Sequence, residues 1–90
     1  MKFTDKNFEL VNIPIKSFHV SIKSDQSDIE RLVSELNGNI EQTDGELKFY
    51  DLDNFTLLDY MMLTLRYRNI RFTKVFDAND NEILLNLKKD

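Results

Sequence analysis

The feature that most restricts the fold is a change of apolar period within a short stretch. Phe18, Val20 and Ile22 alternate with Ser17, His19, Ser21 and Lys23. A period of two turns alternate side chains to opposite faces, so this segment is a strand with one buried face. Directly afterwards Ile29, Leu32, Val33 and Leu36 recur at i, i+3, i+4 and i+7. That spacing makes one apolar stripe on a helix. A half-buried strand running straight into an amphipathic helix implies helices laid on a sheet.

The rest of the chain extends that pattern. The first helix is predicted over residues 24–38. Ser27 with Glu30 makes a capping box, with Ser24 and Asp25 as competing caps. Asn37-Gly38 supplies a left-handed stop. Residues 39–51 read as a hairpin around Asp44-Gly45, the preferred pair for a type I′ turn. Folding there sets Ile40 opposite Phe49, Glu41 opposite Lys48 and Gln42 opposite Leu47, a half-buried pair. A second helix is predicted over residues 53–69, capped by Asp53, with Phe55, Leu58, Met61, Met62 and Leu65 as its core stripe. Residues 70–76 and 82–87 then form a second hairpin. Pro14 stops or bends whatever residues 1–14 form, either an edge strand or a flexible arm.

The expected fold is therefore α+β. Two helices lie on one face of a four- to five-stranded, mostly antiparallel sheet. The order matches a ferredoxin-like (split βαβ) arrangement plus an added C-terminal strand. Ninety residues with 41% hydrophobic content and only two glycines and one proline suit one globular domain.

Composition narrows the chemistry. Without cysteine there is no disulfide, thiolate zinc site or thiol nucleophile, which fits a reducing compartment. No apolar run approaches the ~20 residues of a membrane helix. The charged residues Asp5, Lys6 and Glu9 interrupt the N-terminus where a signal peptide would be apolar. The expected location is cytoplasmic, without membrane contact. A net charge of −4 argues against general nucleic-acid binding. Asp51, Asp53 and Asp59 are followed by Arg66, Arg68, Arg71 and Lys74 with no acid between. That order suits a helix dipole, with acids at its start and arginines at its end. The alternative is a basic binding patch.

Candidate reactive groups are few. His19 is the single histidine. It points away from the core face, and serines beside it do not complete a triad without an orienting group and an oxyanion hole. Asp77, Asn79 and Asn81 match the first ligand positions of a calcium loop. However, Glu82 stands where glycine is required and Lys88 where a bidentate glutamate is required. Turn formation explains the same residues. No metal or other cofactor is implied, and two isolated glycines build no phosphate loop.

Two binding surfaces stand out. Tyr60, Leu63 and Tyr67 lie on a flank of the second helix away from its expected core stripe, bordered by Asp59 and Arg66. Tyrosines beside leucine make a typical contact surface, so Tyr60, Leu63, Arg66 and Tyr67 form the expected docking site for a protein partner. The simplest such partner is a second copy. The open sheet face, with His19, Lys23, Lys48, Tyr50, Arg71 and Thr73, is the alternative. RNA-recognition domains of this topology stack bases on such a face, although the glycine-aromatic signature of that family is missing here. The functional expectation is a non-enzymatic binding or accessory protein acting by protein–protein contact. A single alanine with abundant Asn, Asp, Lys, Ile and Phe is the bias of AT-rich coding. One form of the expectation is accordingly a phage or mobile-element inhibitor of a host nuclease. Nucleic-acid binding through the sheet is the second expectation and a small enzyme the third.

Overall fold

The computed structural model describes residues 12–84. Strand β1 (Ile15–Ser21) leads to helix α1 (Gln26–Glu35), then β2 (Asn39–Thr43), β3 (Glu46–Tyr50), helix α2 (Leu57–Arg66) and β4 (Phe72–Asp77). The sheet order is β2-β3-β1-β4, and every neighbouring pair is antiparallel. This is an α+β fold with two helices and an open four-stranded sheet. Each helix joins two strands that are separated in the sheet by a third.

Phe18 organises the interior. It is fully buried at the middle of the central strand, opposite Phe49 on β3 and Val75 on β4. Its ring stacks on Phe49 at 4.9 Å and on Phe55 at 5.7 Å, and meets Tyr60 edge-on at 5.5 Å. Buried Ile29 and Leu32 of α1 and Leu57, Tyr60 and Leu63 of α2 join the same core. Both helices therefore cover one face of the sheet.

Local chemistry sets the helix ends, and it differs in places from the expectation. Asp25, not Ser27, caps α1, accepting from the Asp28 N–H at 3.0 Å. The helix stops at Leu36 in an extended conformation rather than through a left-handed Asn37-Gly38. Gly38 is needed for another reason: a Cβ there would sit 2.7 Å from the Tyr50 carbonyl oxygen and 2.8 Å from a Leu52 methyl. Helix α2 begins after Thr56, not Asp53. Thr56 and Asp59 form a reciprocal capping box, in which the Thr56 N–H donates to Asp59 Oδ2 at 3.0 Å. That box carries two backbone donors at once, which a lone Asp53 cap would not.

The β2–β3 register is as read from the sequence, with Ile40 opposite Phe49 and Glu41 opposite Lys48. Its turn is not type I′, because Gly45 has a positive φ of 75° and Asp44 does not. Strand β2 lies at the sheet edge and Ile40 is exposed, so the pair is buried on the β3 side alone.

Strand β4 departs from simple alternation. A register shift between His19 and Val20 makes Thr73 an extra residue opposite β1. This β-bulge turns Phe72 and Val75, three residues apart, toward the same core. It also sends Lys74 and Phe76 to the open face, beside the expected Thr73, whereas Arg71 precedes the strand. After β4, Asp77 Oδ1 accepts from the N–H groups of Asn79 and Asn81, both at 2.9 Å. Asp77 and Asn81 thus work as turn formers. A bridge pairs Phe76 with Glu82. Four strands are found among the described residues, and half of the expected fifth, at 82–87, lies outside them. The N-terminal expectation falls largely outside them as well. Pro14 bridges Thr56, and the Leu57 N–H donates to the Ile13 carbonyl at 2.9 Å.

Two consequences can be measured. Phe18→Ala should cost about 3–5 kcal/mol, enough to unfold most of a domain of this size, as read by urea denaturation. Thr56→Ala should cost about 1 kcal/mol by releasing the cap, while Asp53→Ala should leave the midpoint unchanged. Equal losses from the last two variants would place the helix start wrongly.

Candidate functional site

Helix α2 reads Leu-Leu-Asp-Tyr-Met-Met-Leu-Thr-Leu-Arg, apolar on nearly every side. Spacing alone offers two faces for burial, and the structure chooses the one that was expected to be open. Tyr60 and Leu63 are each 4% exposed and Tyr67, which caps the helix, is 7% exposed. Leu58, Met62 and Leu65, read as core, are 45%, 48% and 72% exposed. The expected docking flank of Tyr60, Leu63 and Tyr67 is therefore interior, and the surface lies on the opposite side. The physical cause is ring packing. Tyr60 meets both Phe18 and Phe72 edge-on at 5.5 Å, contacts that a leucine or methionine at that point cannot reproduce.

The C-terminal ends of the two helices are clamped together. The Tyr67 hydroxyl donates to Glu35 Oε1 at 2.5 Å, and Arg66 Nη1 donates to Glu35 Oε2 at 2.5 Å. The Tyr67 hydrogen bond holds the Glu35 carboxyl below its ordinary range, against the opposing effect of burial, and Arg66 adds to the lowering. The same bond, with desolvation, raises the Tyr67 phenol. Burial pushes the Tyr60 phenol up to about 12. Of the four residues first expected to dock a partner, Arg66 alone is exposed, and Glu35 already engages it. A shallow depression lies between the helices, lined in part by Glu35, Leu36, Phe55, Asp59, Met62 and Arg66. Its volume of about 250 Å³ is below the usual range of ligand pockets.

The outward face of α2 is thus Leu58, Met62 and Leu65, at i, i+4 and i+7. At about 100° per residue these lie opposite Leu57, Tyr60 and Leu63. Asp59 sits in the first turn and Arg66 in the last, as the dipole reading required. The signal for this surface was present in the sequence as the second apolar stripe of one helix.

The open sheet face is a second assembly. His19 stands beside Lys48 on β3 and Lys74 on β4, and Ser17 stands between Tyr50 and Phe76. His19 Nδ1 lies 3.1 Å from Glu46 Oε1, and Lys74 Nζ lies 3.6 Å from the same oxygen. Partial burial works to raise the Glu46 carboxyl, but the Thr73 hydrogen bond and the charges of Lys74 and His19 outweigh it and hold it low. Lys48 Nζ is 5.5 Å from the centre of the Tyr50 ring. Of the expected sheet-face residues, His19, Lys48 and Tyr50 come together. Arg71 precedes β4, and its N–H donates to Ser24 Oγ at 2.9 Å. Thr73, which hydrogen-bonds Glu46, reaches this face as expected, and the bulge that no local residue pattern announced brings Lys74 and Phe76 to it as well. No hydrogen bond joins His19 to Ser17 or Ser21, and the Ser21 hydroxyl accepts from the Lys23 N–H.

Among the described residues no three His, Asp or Glu side chains are placed to hold a metal ion. No helix among them is long and apolar enough to cross a membrane. No family model, curated protein sequence or solved structure matches this chain.

The Glu35 clamp has a defined pH signature. A carboxyl lowered in the folded state stabilises fully above the pH at which the unfolded carboxyl ionises, about 4.3. The contribution is lost as the pH falls through the lower folded value. Wild-type protein should exceed Glu35→Gln in melting temperature by a constant small margin from pH 7 to about 5, shrinking below that. In a carbon-detected titration Tyr67→Phe should raise the Glu35 midpoint. An unchanged midpoint would show that the tyrosine is not the principal cause.

Proposed function

We propose that this chain is a non-enzymatic binding protein that acts through protein–protein contact, docking by the outward face of α2. One observation carries the reading. Leu58, Met62 and Leu65 form a continuous apolar stripe on a helix whose other side is already buried. A helix apolar all round is normally covered all round, and large exposed side chains in one stripe mark a contact surface. The small depression between the helices and the pairing of His19 with Glu46 rather than with either serine support binding over catalysis. The low alanine content and the acidity suit one specific form of this function, a phage or mobile-element protein that inhibits a host nuclease by occupying it. The strand order, with each helix bridging over one intervening strand, supports a ferredoxin-like arrangement, a scaffold that commonly serves binding roles and does not by itself name one.

A second reading rests on the open sheet face. Tyr50 and Phe76 flank Ser17 there, with Lys48 and Lys74 in the next row. Paired aromatics and lysines can stack and neutralise a single strand of nucleic acid. Glu41 and Glu46 on the same face cancel the lysines, so the phosphate attraction this mode needs is weak.

The test places a benzoylphenylalanine photocross-linker at position 62 in the native cell. Protein adducts should form and should disappear when Leu58 and Leu65 are both changed to Gln. The triple variant Leu58→Gln, Met62→Gln, Leu65→Gln should keep its melting temperature within a few degrees, because nothing is removed from the core. Absence of any protein adduct, or a large fall in melting temperature, would refute the reading. Salt-dependent retention of single-stranded RNA that is lost on Lys48→Ala and Tyr50→Ala would favour the sheet face instead.

A further inference from the structure

We infer that the partner of the α2 face is a second copy of this chain, packed antiparallel about a two-fold axis near Met62. This rests on the protein-contact reading above and names its occupant. The first ground is spacing. Leu58, Met62 and Leu65 are separated by four and then three residues, the spacing of a coiled-coil seam. An antiparallel two-fold contact centred on Met62 lays Leu58 of one copy beside Leu65 of the other, so the stripe is complementary to itself.

The second ground is charge. Asp51 and Asp53 are exposed just before the helix, and Arg66, Arg68 and Arg71 are exposed at and beyond its end. Reversing one copy against the other sets the acidic end against the basic end twice. It also opposes the two helix dipoles. A parallel arrangement would set acid against acid and arginine against arginine. Electrostatic complementarity of this kind selects orientation and partner more than it adds affinity. The Glu35 side chain engages Arg66 within one copy, which leaves Arg68 and Arg71 as the cations that face the acids of the other.

The contact is small. One helix of ten residues offers well under the ~800 Å² per partner of a standard interface, so the dimer is expected to be weak and is sought at about 0.1–1 mM.

Sedimentation equilibrium and concentration-dependent amide shifts of the whole protein test this. Dimer should grow over that range, with shifts confined to α2 and its ends, and Leu58→Gln, Met62→Gln, Leu65→Gln should be monomeric throughout. Arg68→Glu should weaken association at least about threefold, and mixing it with Asp53→Lys should restore it through the mixed dimer. A protein that stays monomeric at 1 mM while the position-62 cross-linker captures a different protein would overturn the second copy and leave the docking face standing. A dimer that survives the triple glutamine variant would place the interface elsewhere and overturn the inference. If position 62 cross-links to no other chain, both readings fall.

Discussion

The fully buried ring of Phe18 is the point from which the other elements take their positions. It lies on the central strand, with Phe49 stacked on one side, Phe55 and Tyr60 over it and Phe72 beyond. Aromatic pairs have preferred geometries as well as buried area, so this cluster does more than exclude water. It fixes the rotation of α2, because only Tyr60 on that helix can place a ring edge against both Phe18 and Phe72. It also draws β4 inward at Phe72 and Val75 together, which requires the bulge at Thr73.

The exposed stripe on α2 follows from that rotation. An apolar helix has one buried side, and whichever stripe the core does not take is left outside. Here the core took the tyrosines and the outside kept Leu58, Met62 and Leu65. The Glu35 carboxylate reinforces the choice by holding both Tyr67 and Arg66, so the helix cannot roll without breaking a charged hydrogen bond at its end. The proposed contact surface is thus the remainder of a folding decision made in the interior.

The bulge in β4 has a parallel effect on the open sheet face. By using one extra residue it carries Lys74 toward Glu46 and Phe76 toward Ser17. Lys74 is therefore paired with the Glu46 carboxylate on the same face, His19 is tied to it as well, and Lys48 lies over the Tyr50 ring. A surface that commits a lysine and its histidine to an internal carboxylate is less suited to phosphate, whatever its aromatics offer.

Local sequence determined the pieces whose physics is local. Alternation at Phe18 and Val20, the stripe at Ile29 and Leu32, and the β2–β3 register all came through, because period and short loops decide them within a few residues. The turn type at Asp44, the role of Gly38 and the start of α2 were misread. Each depends on groups brought from elsewhere or on competing caps of similar strength. The bulge at Thr73 and the rotation of α2 had no local signature at all. A second apolar stripe was legible in the sequence, but which stripe faces inward depends on the shape of the rings opposite it. Only the tertiary structure brings Phe18, Tyr60 and Phe72 together, and only there does their packing decide that Leu58, Met62 and Leu65 remain outside.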